Sequence, residues 1–337
     1  MPAYQPPFQI TSDILTLVAD ISEQLGRWSA LLGNSDETFS PQLRRGNRIR
    51  TIQASLAIEH NSLTIEQVTA VLDGKRVLGL PREIQEVHNA FAAYEKMPFW
   101  QPYNVAHLLA AHGQLMLGLV DDAGKWRKSG VGVYSDKQLM HMAPPPSQVD
   151  RLMTDLLDWL KQMTVHPLVA SCVFHYEFEF IHPFSDGNGR MGRLWQTLIL
   201  SKWKPELAFL PVETVIRNQQ IEYYAALSEA DKASDATGFI EFMLKALLSA
   251  MQEVVMAPSR HQVGTKSVLN SDQRHVLDNI MGEMSLKELM TLLKRTDRTK
   301  FKDQILNPLI KAGLVEPTIP DKPTSSKQKY RLKMENS

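Results

Sequence analysis

The chain has 337 residues, of which 43% are hydrophobic and 22% charged, and its 37 basic residues equal its 37 acidic ones. This length suits two or three domains with cores of their own, and the neutral balance gives no electrostatic indication of a partner. Cys172 is the single cysteine, which excludes an intrachain disulfide. The opening residues lack the pattern of a secretory signal, and no apolar run reaches the ~18–20 residues that a membrane span needs. We therefore expect a soluble cytoplasmic protein with no membrane partner.

Residues 1–100 predict an N-terminal helical region. After a start signal at Thr11-Ser12, apolar side chains recur at helical spacing as far as Trp28. Weaker patterns of the same kind predict further helices, over 41–59, 65–73, 82–95 and 104–119. Between Gly124 and Tyr134, glycines alternate with valines and aromatic residues, which is typical of a β-hairpin.

Residues 101–256 predict a mainly helical body around that hairpin. Three prolines, Pro144–Pro146, interrupt the chain, and Ser147 is a candidate cap for the helix that follows. Further helices are expected over 166–181, from Gly189 towards Trp203, and over 218–231 and 236–255.

Residues 257–272 have little periodicity and predict a linker. Beyond them, residues 273–337 predict a winged helix. Ser285 and Glu288 form a capping-box sequence, and Thr296 or Asp297 can cap a second helix that ends at Gly313. Residues 314–318 and 330–333 can then pair as the two strands of a wing.

Residues 182–193 concentrate the features of an anion site. The proline after His182 should end the preceding helix, which presents the histidine at a helix end. Gly187 and Gly189 let the backbone approach a ligand closely, and a helix that begins here offers free N–H groups to phosphate. Arg190 and Arg193 lie one turn apart on that helix. The remaining polar candidates are Asn188, a neutral donor, and Asp186, an oxygen ligand suited to Mg²⁺.

This segment resembles the motif HPFx(D/E)GNGRxxR of the Fic adenylyltransferases at every defined position. The resemblance implies a Fic-type helical core with a small β-hairpin flap, which moves AMP from ATP to a Ser, Thr or Tyr hydroxyl of a target protein or of the enzyme itself. It implies that His182 is the general base and Asp186 the Mg²⁺ ligand. The loop and first helical turn would bind ATP through Gly187, Asn188, Gly189, Arg190, Met191, Gly192 and Arg193.

Three other segments extend the resemblance. Lys125–Arg127 and Val131, Gly132, Val133 and Tyr134 resemble the flap, which would hold the target protein as an added strand and border the ATP. Tyr223 and Tyr224 lie where the family places aromatic residues beside adenine, although Asp231 replaces an asparagine found in some members. Residues 55–59 resemble an inhibitory motif in which a glutamate, here Glu59, pairs with Arg193, although His60 replaces the usual Gly or Asn.

Two other classes of function stay open at this stage. His175, Glu179, His182 and Asp186 would form a stripe of metal ligands on one continuous helix, as in a metallohydrolase. Residues 261–337 carry 14 basic against 9 acidic residues, so the winged helix could instead make the protein a DNA-binding regulator. The sequence names no target, leaves a homodimer open, and does not say whether the same site also removes AMP.

Overall fold

The computed structural model describes residues 4–32, 41–135, 138–256, 271–280, 282–293, 295, 297–311, 314–319, 325 and 328–332. The chain divides into two compact units, Met1–Val255 and Met256–Ser337. The predicted fold class, mainly helical with a small hairpin, is confirmed.

The first unit is built from α-helices joined by short connections. In its described residues these are α1 Ser12–Leu32, α2 Pro41–Ile58, α3 Ile65–Leu72, α4 Pro81–Lys96, α5 Val105–Leu115, α6 Pro146–Gln162, α7 Pro167–Ile181, α8 Asn188–Trp203, α9 Val212–Asn218, α10 Gln220–Ala233 and α11 Thr237–Met256. The hairpin strands are β1 Gly132–Ser135 and β2 Gln138–Met142.

Helices α7 and α8 form the centre of this unit. Almost every side chain between Leu168 and Phe178 is buried, as are those between Met191 and Leu200. Because both helices are covered on all sides, neither has a single apolar face; α7 is apolar nearly all round, whereas α8 also buries polar and charged side chains. One hydrophobic cluster packs α7 and α8 against α2, α4, α5 and α6, and a second packs them against α1, α9, α10 and α11. The loop between the two central helices is therefore held from both ends by the core.

The hairpin lies further along the chain than the alternating glycines indicated. Residues 121–131 form turns and irregular backbone, and the first strand begins only at Gly132. The strands pair antiparallel from Gly132 opposite Met142 to Ser135 opposite Gln138, with a bulge between Val133 and Tyr134. The prediction of a hairpin over 124–134 is thus wrong in its first half. The reason lies in the tertiary structure, because this stretch contacts the end of α7 through Arg127 and does not pair with itself as a hairpin.

The start of α6 also differs from the prediction. The helix begins at Pro146 with Pro145 in the capping position, so Ser147 lies inside the first turn. Proline suits the first helical position because its missing N–H has no helical partner there and its φ is already close to helical.

The second unit contains the elements of a winged helix. Its described helices are α12 Ser271–Asn279, α13 Leu286–Leu292, α14 Arg298–Phe301 and α15 Asn307–Lys311, with a π-helical turn Lys302–Leu306 between the last two. Ser285 caps α13 through the predicted capping box, and the Asp297 carboxylate accepts the N–H of Lys300. Strand β4 Val315–Pro317 pairs with β5 Lys329–Leu332 as predicted.

One strand of this unit was not predicted. Strand β3, Met284–Ser285, pairs with β5 and completes a three-stranded sheet in the order β3-β5-β4. Two residues carry too little pattern to be identified from sequence. The predicted linker core 257–270, Thr296 and Gly313 lie outside the described residues, and DNA binding by this unit stays a prediction.

No helix in the described part of the chain combines the length and apolar character needed to span a bilayer.

Candidate active site

His182 ends α7 in a left-handed conformation. Its φ is 49°, its backbone N–H still bonds to the carbonyl of Phe178, and Pro183 follows. The left-handed region is costly for a residue with a Cβ, so this conformation is held by its surroundings. The imidazole is 17% exposed, and its Nδ1 lies 3.2 Å from the carbonyl oxygen of Glu179. A carbonyl only accepts, so this hydrogen bond places the proton on Nδ1 and makes Nε2 the basic nitrogen.

Arg127 fastens this turn from the segment before the flap. Its buried guanidinium donates to the carbonyl oxygens of His182 at 2.7 Å, Ser129 at 3.0 Å and Ile181 at 3.3 Å. It also donates to the carbonyl of Pro144, just after the hairpin. One side chain therefore joins the end of α7 to both ends of the flap. Burial lowers the pKa of Arg127.

The loop after His182 leads into the N-terminus of α8, whose first backbone N–H groups have no helical acceptor. Gly187 has φ 85° and occupies the capping position. The first helical hydrogen bond runs from Met191 N–H to the carbonyl of Gly187 at 3.0 Å. The N–H groups of Asn188, Gly189 and Arg190 precede it, which is the arrangement that binds anions at a helix N-terminus.

Three residues of this segment for which ATP contact is predicted are packed against the protein itself, and that contact stays a prediction. The side chain of Asn188 is buried and accepts the N–H of Phe184 at 2.9 Å while donating to the carbonyl of Phe184 at 2.9 Å. Met191 is fully buried in the core. Gly192 lies beside the carboxylate of Glu179, where an added Cβ would come within 2.6 Å of Oε1. These contacts fix the loop and the first turn of α8.

His112 on α5 supports the loop from the other side. Its Nδ1 accepts the N–H of Gly124 at 2.8 Å, so Nε2 carries the proton and donates to the carbonyl of Asp186 at 3.0 Å. The ring stacks on Phe184 with centroids 3.6 Å apart. Burial lowers the pKa of His112, which keeps the ring neutral in this role.

Asp186 and Arg190 face each other at the mouth of the site. Oδ1 of Asp186 accepts from the N–H of Gly187 at 2.6 Å and from Nη2 of Arg190 at 2.9 Å. Oδ2 lies 3.2 Å from Nη2 of Arg82 on α4. Arg190 is 5% exposed and also pairs with Glu86 of α4 at 3.3 Å. Asp186 and Arg190 thus form one network of ion pairs with Arg82 and Glu86 of α4.

Arg193 is occupied by the segment that resembles the inhibitory motif. Its guanidinium donates to the hydroxyl of Ser55 at 3.1 Å, to the carbonyl of Ser55 at 3.0 Å and to Oε1 of Glu59 at 2.8 Å. Burial by itself lowers the pKa of Arg193, but the nearby Glu59, Tyr223 and Glu179 together more than offset this, so the pKa is raised. The carboxylate also lies directly over Gly189, where a side chain would clash with it.

The turn after α2 aims Glu59. The N–H of Asn61 bonds to the carbonyl of Leu56 at 3.1 Å and that of His60 to Ala57 at 3.0 Å, which together make a Schellman motif. His60 takes the left-handed position with φ 68°. This conformation suits Gly and Asn best, which explains the family preference at this position and how His60 preserves the same turn.

The two tyrosines of α10 differ sharply. Tyr223 is 1% exposed, and its hydroxyl lies 3.0 Å from Nε2 of His175. It is therefore packed in the core, and its contact with adenine stays a prediction. Tyr224 is 42% exposed and stays a candidate. Asp231 accepts from the hydroxyl of Tyr176 at 3.0 Å.

His175 lies beneath α8 and is fully buried. Its Nδ1 lies 2.6 Å from Oε1 of Gln196, and burial lowers its pKa to about 4. Because α7 ends at Ile181, His175 and Asp186 do not share one helix face. The described residues hold no group of three or more His, Cys, Asp or Glu side chains arranged as a metal site. The metallohydrolase alternative has no support in this arrangement.

The base of the flap is closed by a backbone hydrogen bond. The carbonyl of Val131 accepts the N–H of Ala143 at 3.2 Å, which closes the base of the hairpin beside Gly132. The side chains of Val133 and Tyr134 lie outside the described part of the structure, so their contact with ATP stays a prediction.

Sequence reasoning missed three residues that build the site, Arg82, Glu86 and His112, and it placed Arg127 in the flap without its contacts to the His182 turn. Each is a common residue type, and each is joined to the motif by contacts with backbone or with charges far away in the chain. A weak signal exists for Arg82 and Glu86, whose i,i+4 spacing places both on one face of α4.

The fold and site together define a class of protein: a helical enzyme-like core with a histidine turn, an anion-binding helix N-terminus and two arginines behind it. The model of the Fic/DOC family matches residues 102–200, and that of the Fic-like C-terminal domain ("Filamentation induced by cAMP protein Fic-like, C-terminal domain") matches residues 272–333. A crystal structure of a Fic family protein from Desulfovibrio desulfuricans G20 is 55% identical, covers 99% of this chain and 100% of its own, and has a TM-score of 0.75. The chain belongs to the Fic family.

Curated relatives carry the name of an activity. Protein adenylyltransferase fic-1 of Caenorhabditis elegans is 28% identical over 64% of this chain and 42% of its own length. The probable protein adenylyltransferase aq_aa38 of Aquifex aeolicus is 33% identical over 53% of this chain and 54% of its own length. The chain thus spans about half the length of these relatives.

Proposed function

We propose that this protein is an adenylyltransferase that moves AMP from ATP to a hydroxyl of a target protein. The observation that carries the proposal is the placement of His182 at the end of α7, next to the free N-terminus of α8 with Arg190 and Arg193 behind it. A base, a phosphate cradle and two cations are the groups that such a transfer needs. The names of the curated relatives support the same reaction.

The reaction balances with the groups present. Nε2 of His182 takes the proton of the attacking hydroxyl, whose oxygen forms a bond to the α-phosphorus of ATP. The bond between the α-phosphorus and the bridging oxygen breaks, and pyrophosphate leaves. The N–H groups of Asn188 and Gly189 stabilise the charge on the α-phosphate, and the arginines hold the outer phosphates.

Asp186 fits a magnesium ion. Its side chain is 40% exposed at the mouth of the site, and one carboxylate together with substrate phosphates is a usual set of ligands for this ion. Magnesium would neutralise charge on the phosphates when bound. The carboxylate must first exchange its contact with Arg82, whose side chain is 59% exposed.

Glu59 restrains the reaction in this conformation. A carboxylate at 2.8 Å from Arg193 competes with the γ-phosphate for the same donor. The triphosphate then lacks the contact that sets its α-phosphorus in line with the incoming hydroxyl, so binding continues while turnover is slow.

The target protein binds along the flap in this proposal. A two-stranded hairpin has unpaired strand edges, and an extended segment can add to one of them through main-chain hydrogen bonds. Strand addition would bring a hydroxyl towards His182, because Arg127 joins the base of the flap to the His182 turn.

The test uses ATP labelled on the α-phosphate and the Glu59→Gly protein, incubated with lysate and with the protein alone. Label should enter protein, and His182→Ala in the same background should lower incorporation ~10²–10⁴-fold while nucleotide affinity changes little. Label carried from the γ-phosphate, or incorporation within tenfold of the parent after His182→Ala, would refute the assignment.

A further inference from the structure

Helix α4 contacts the site through Glu86, which lies outside the motif. One carboxylate oxygen, Oε1, is 3.3 Å from Nη1 of Arg190. The other, Oε2, accepts a hydrogen bond of 2.8 Å from Nδ2 of Asn61. Glu86 is 9% exposed, so both of its oxygens are committed inside the protein.

Arg190 needs this partner most when the site is loaded. Its guanidinium is almost fully buried and is shared between Asp186 at 2.9 Å and Glu86 at 3.3 Å. A magnesium ion bound to Asp186 would share the carboxylate that also holds Arg190 and would weaken that contact. Glu86 is then the carboxylate that keeps the guanidinium in place, and a buried charge without a partner is strongly unfavourable.

Arg190 also has one N–H group, at Nε, that the described residues do not satisfy. Among the described residues its buried Nε–H has no hydrogen-bond partner. A buried donor without a partner is costly, and a phosphate oxygen would satisfy it. This points to an anion as the missing partner.

Asn61 connects Glu86 to the turn that carries Glu59. Asn61 is buried, its Nδ2 also donates to the carbonyl of Glu83 at 3.2 Å, and its Oδ1 accepts the N–H of Leu63 at 3.1 Å. Asn61 follows Glu59 by two residues in the same Schellman turn. The position of Glu86 therefore depends on this turn being formed.

We propose that Glu86 is a positioning residue that aims Arg190 at the outer phosphates of the nucleotide, and that Asn61 holds Glu86 for this purpose. The inference rests on the proposed function. It gives the turn 59–61 two opposite roles: Glu59 occupies Arg193 and restrains the enzyme, whereas Asn61 supports Arg190 and is needed for activity. Loss of the whole turn should therefore not reproduce the effect of removing the Glu59 carboxylate alone.

The test compares ADP and AMP binding by calorimetry in the Glu59→Gly background. ADP has an outer phosphate for Arg190 and AMP has none. Glu86→Gln should weaken ADP binding about tenfold, since a hydrogen bond between charged groups contributes about that much, and should leave AMP binding within twofold. KM for ATP should rise in parallel with the loss of ADP affinity, and Asn61→Ala should weaken ADP binding in the same sense by about threefold.

Glu83→Gln is the matched control. Glu83 lies on the same helix, and its carboxylate accepts the N–H of Ser62 at 2.6 Å and that of Leu80 at 3.3 Å rather than pairing with Arg190. The Glu83→Gln variant should have a lower melting temperature than its parent but the same ratio of ADP affinity to AMP affinity.

The results distinguish a positioning role of Glu86 from a purely structural one, and both from failure of the proposed function. Unchanged ADP affinity in Glu86→Gln, or an equal loss for ADP and AMP, would overturn the positioning role and leave only a structural one. If Glu86→Gln does not fold, the ratio measured with Asn61→Ala decides. A Glu59→Gly parent that binds neither nucleotide would instead refute the proposed function itself.

Discussion

Removing the carboxylate of Glu59 should activate the enzyme by an amount that the structure sets. The contact with Arg193 is a charge-assisted hydrogen bond of 2.8 Å, with Arg193 1% exposed and Glu59 31% exposed. Such bonds contribute about 1.5–3 kcal/mol, and the exposure of Glu59 favours the lower part of that range. About 1.5–2 kcal/mol corresponds to a ten- to thirtyfold effect on the rate.

The gain should appear in turnover. In the Glu59→Gly protein the γ-phosphate no longer competes for Arg193, so ATP settles in the reactive geometry more often. Initial rates of AMP incorporation at saturating ATP measure this directly, with the KM for ATP taken from the same series. Glu59→Gln should fall between parent and Glu59→Gly, because an amide oxygen still accepts from Arg193 but carries no charge.

Arg193→Ala is the complementary variant. It removes the inhibitory contact and the γ-phosphate contact together, so it should not activate. A Glu59→Gly protein no faster than the parent on any substrate, including itself, would refute the inhibitory role while leaving the assignment of His182 intact. Activation by Arg193→Ala equal to that of Glu59→Gly would show that the guanidinium contributes nothing to catalysis.

Three further predictions concern the surroundings of the site. His60→Gly should stabilise the protein by about 1 kcal/mol, because glycine relieves the left-handed strain at φ 68°. The melting temperature should rise without any activation of the enzyme. An unchanged or lower melting temperature would count against this prediction. Burial lowers the pKa of His175 to about 4, so protonation between its unfolded value of ~6.5 and that value favours unfolding. The parent should therefore lose stability relative to His175→Gln in urea melts as pH falls through that window, by up to about 1.4 kcal/mol per pH unit, whereas parallel curves would exclude this. Tyr224→Ala should weaken ADP binding, whereas Ile221→Ala, an exposed residue of the same helix, should not; equal effects would return Tyr224 to a packing role.

The sequence by itself determined the features that depend on near neighbours. Pro183 prevents α7 from continuing, so the helix had to end at His182, and Gly187 was needed where α8 begins. Ser285 and Glu288 form a capping box from four consecutive residues. In each case the deciding interaction lies within one helical turn. Membership of the Fic family, which the comparisons confirm, was indicated by the twelve consecutive residues 182–193.

Only the tertiary structure decided which side chains are left for a ligand. Tyr223 and Tyr224 are adjacent in sequence, yet one packs on His175 and the other reaches solvent. Glu86 meets Arg190 across 104 residues of sequence. Burial and pairing depend on chain segments that come together only in the folded core, and a residue's own neighbours in sequence carry no record of them.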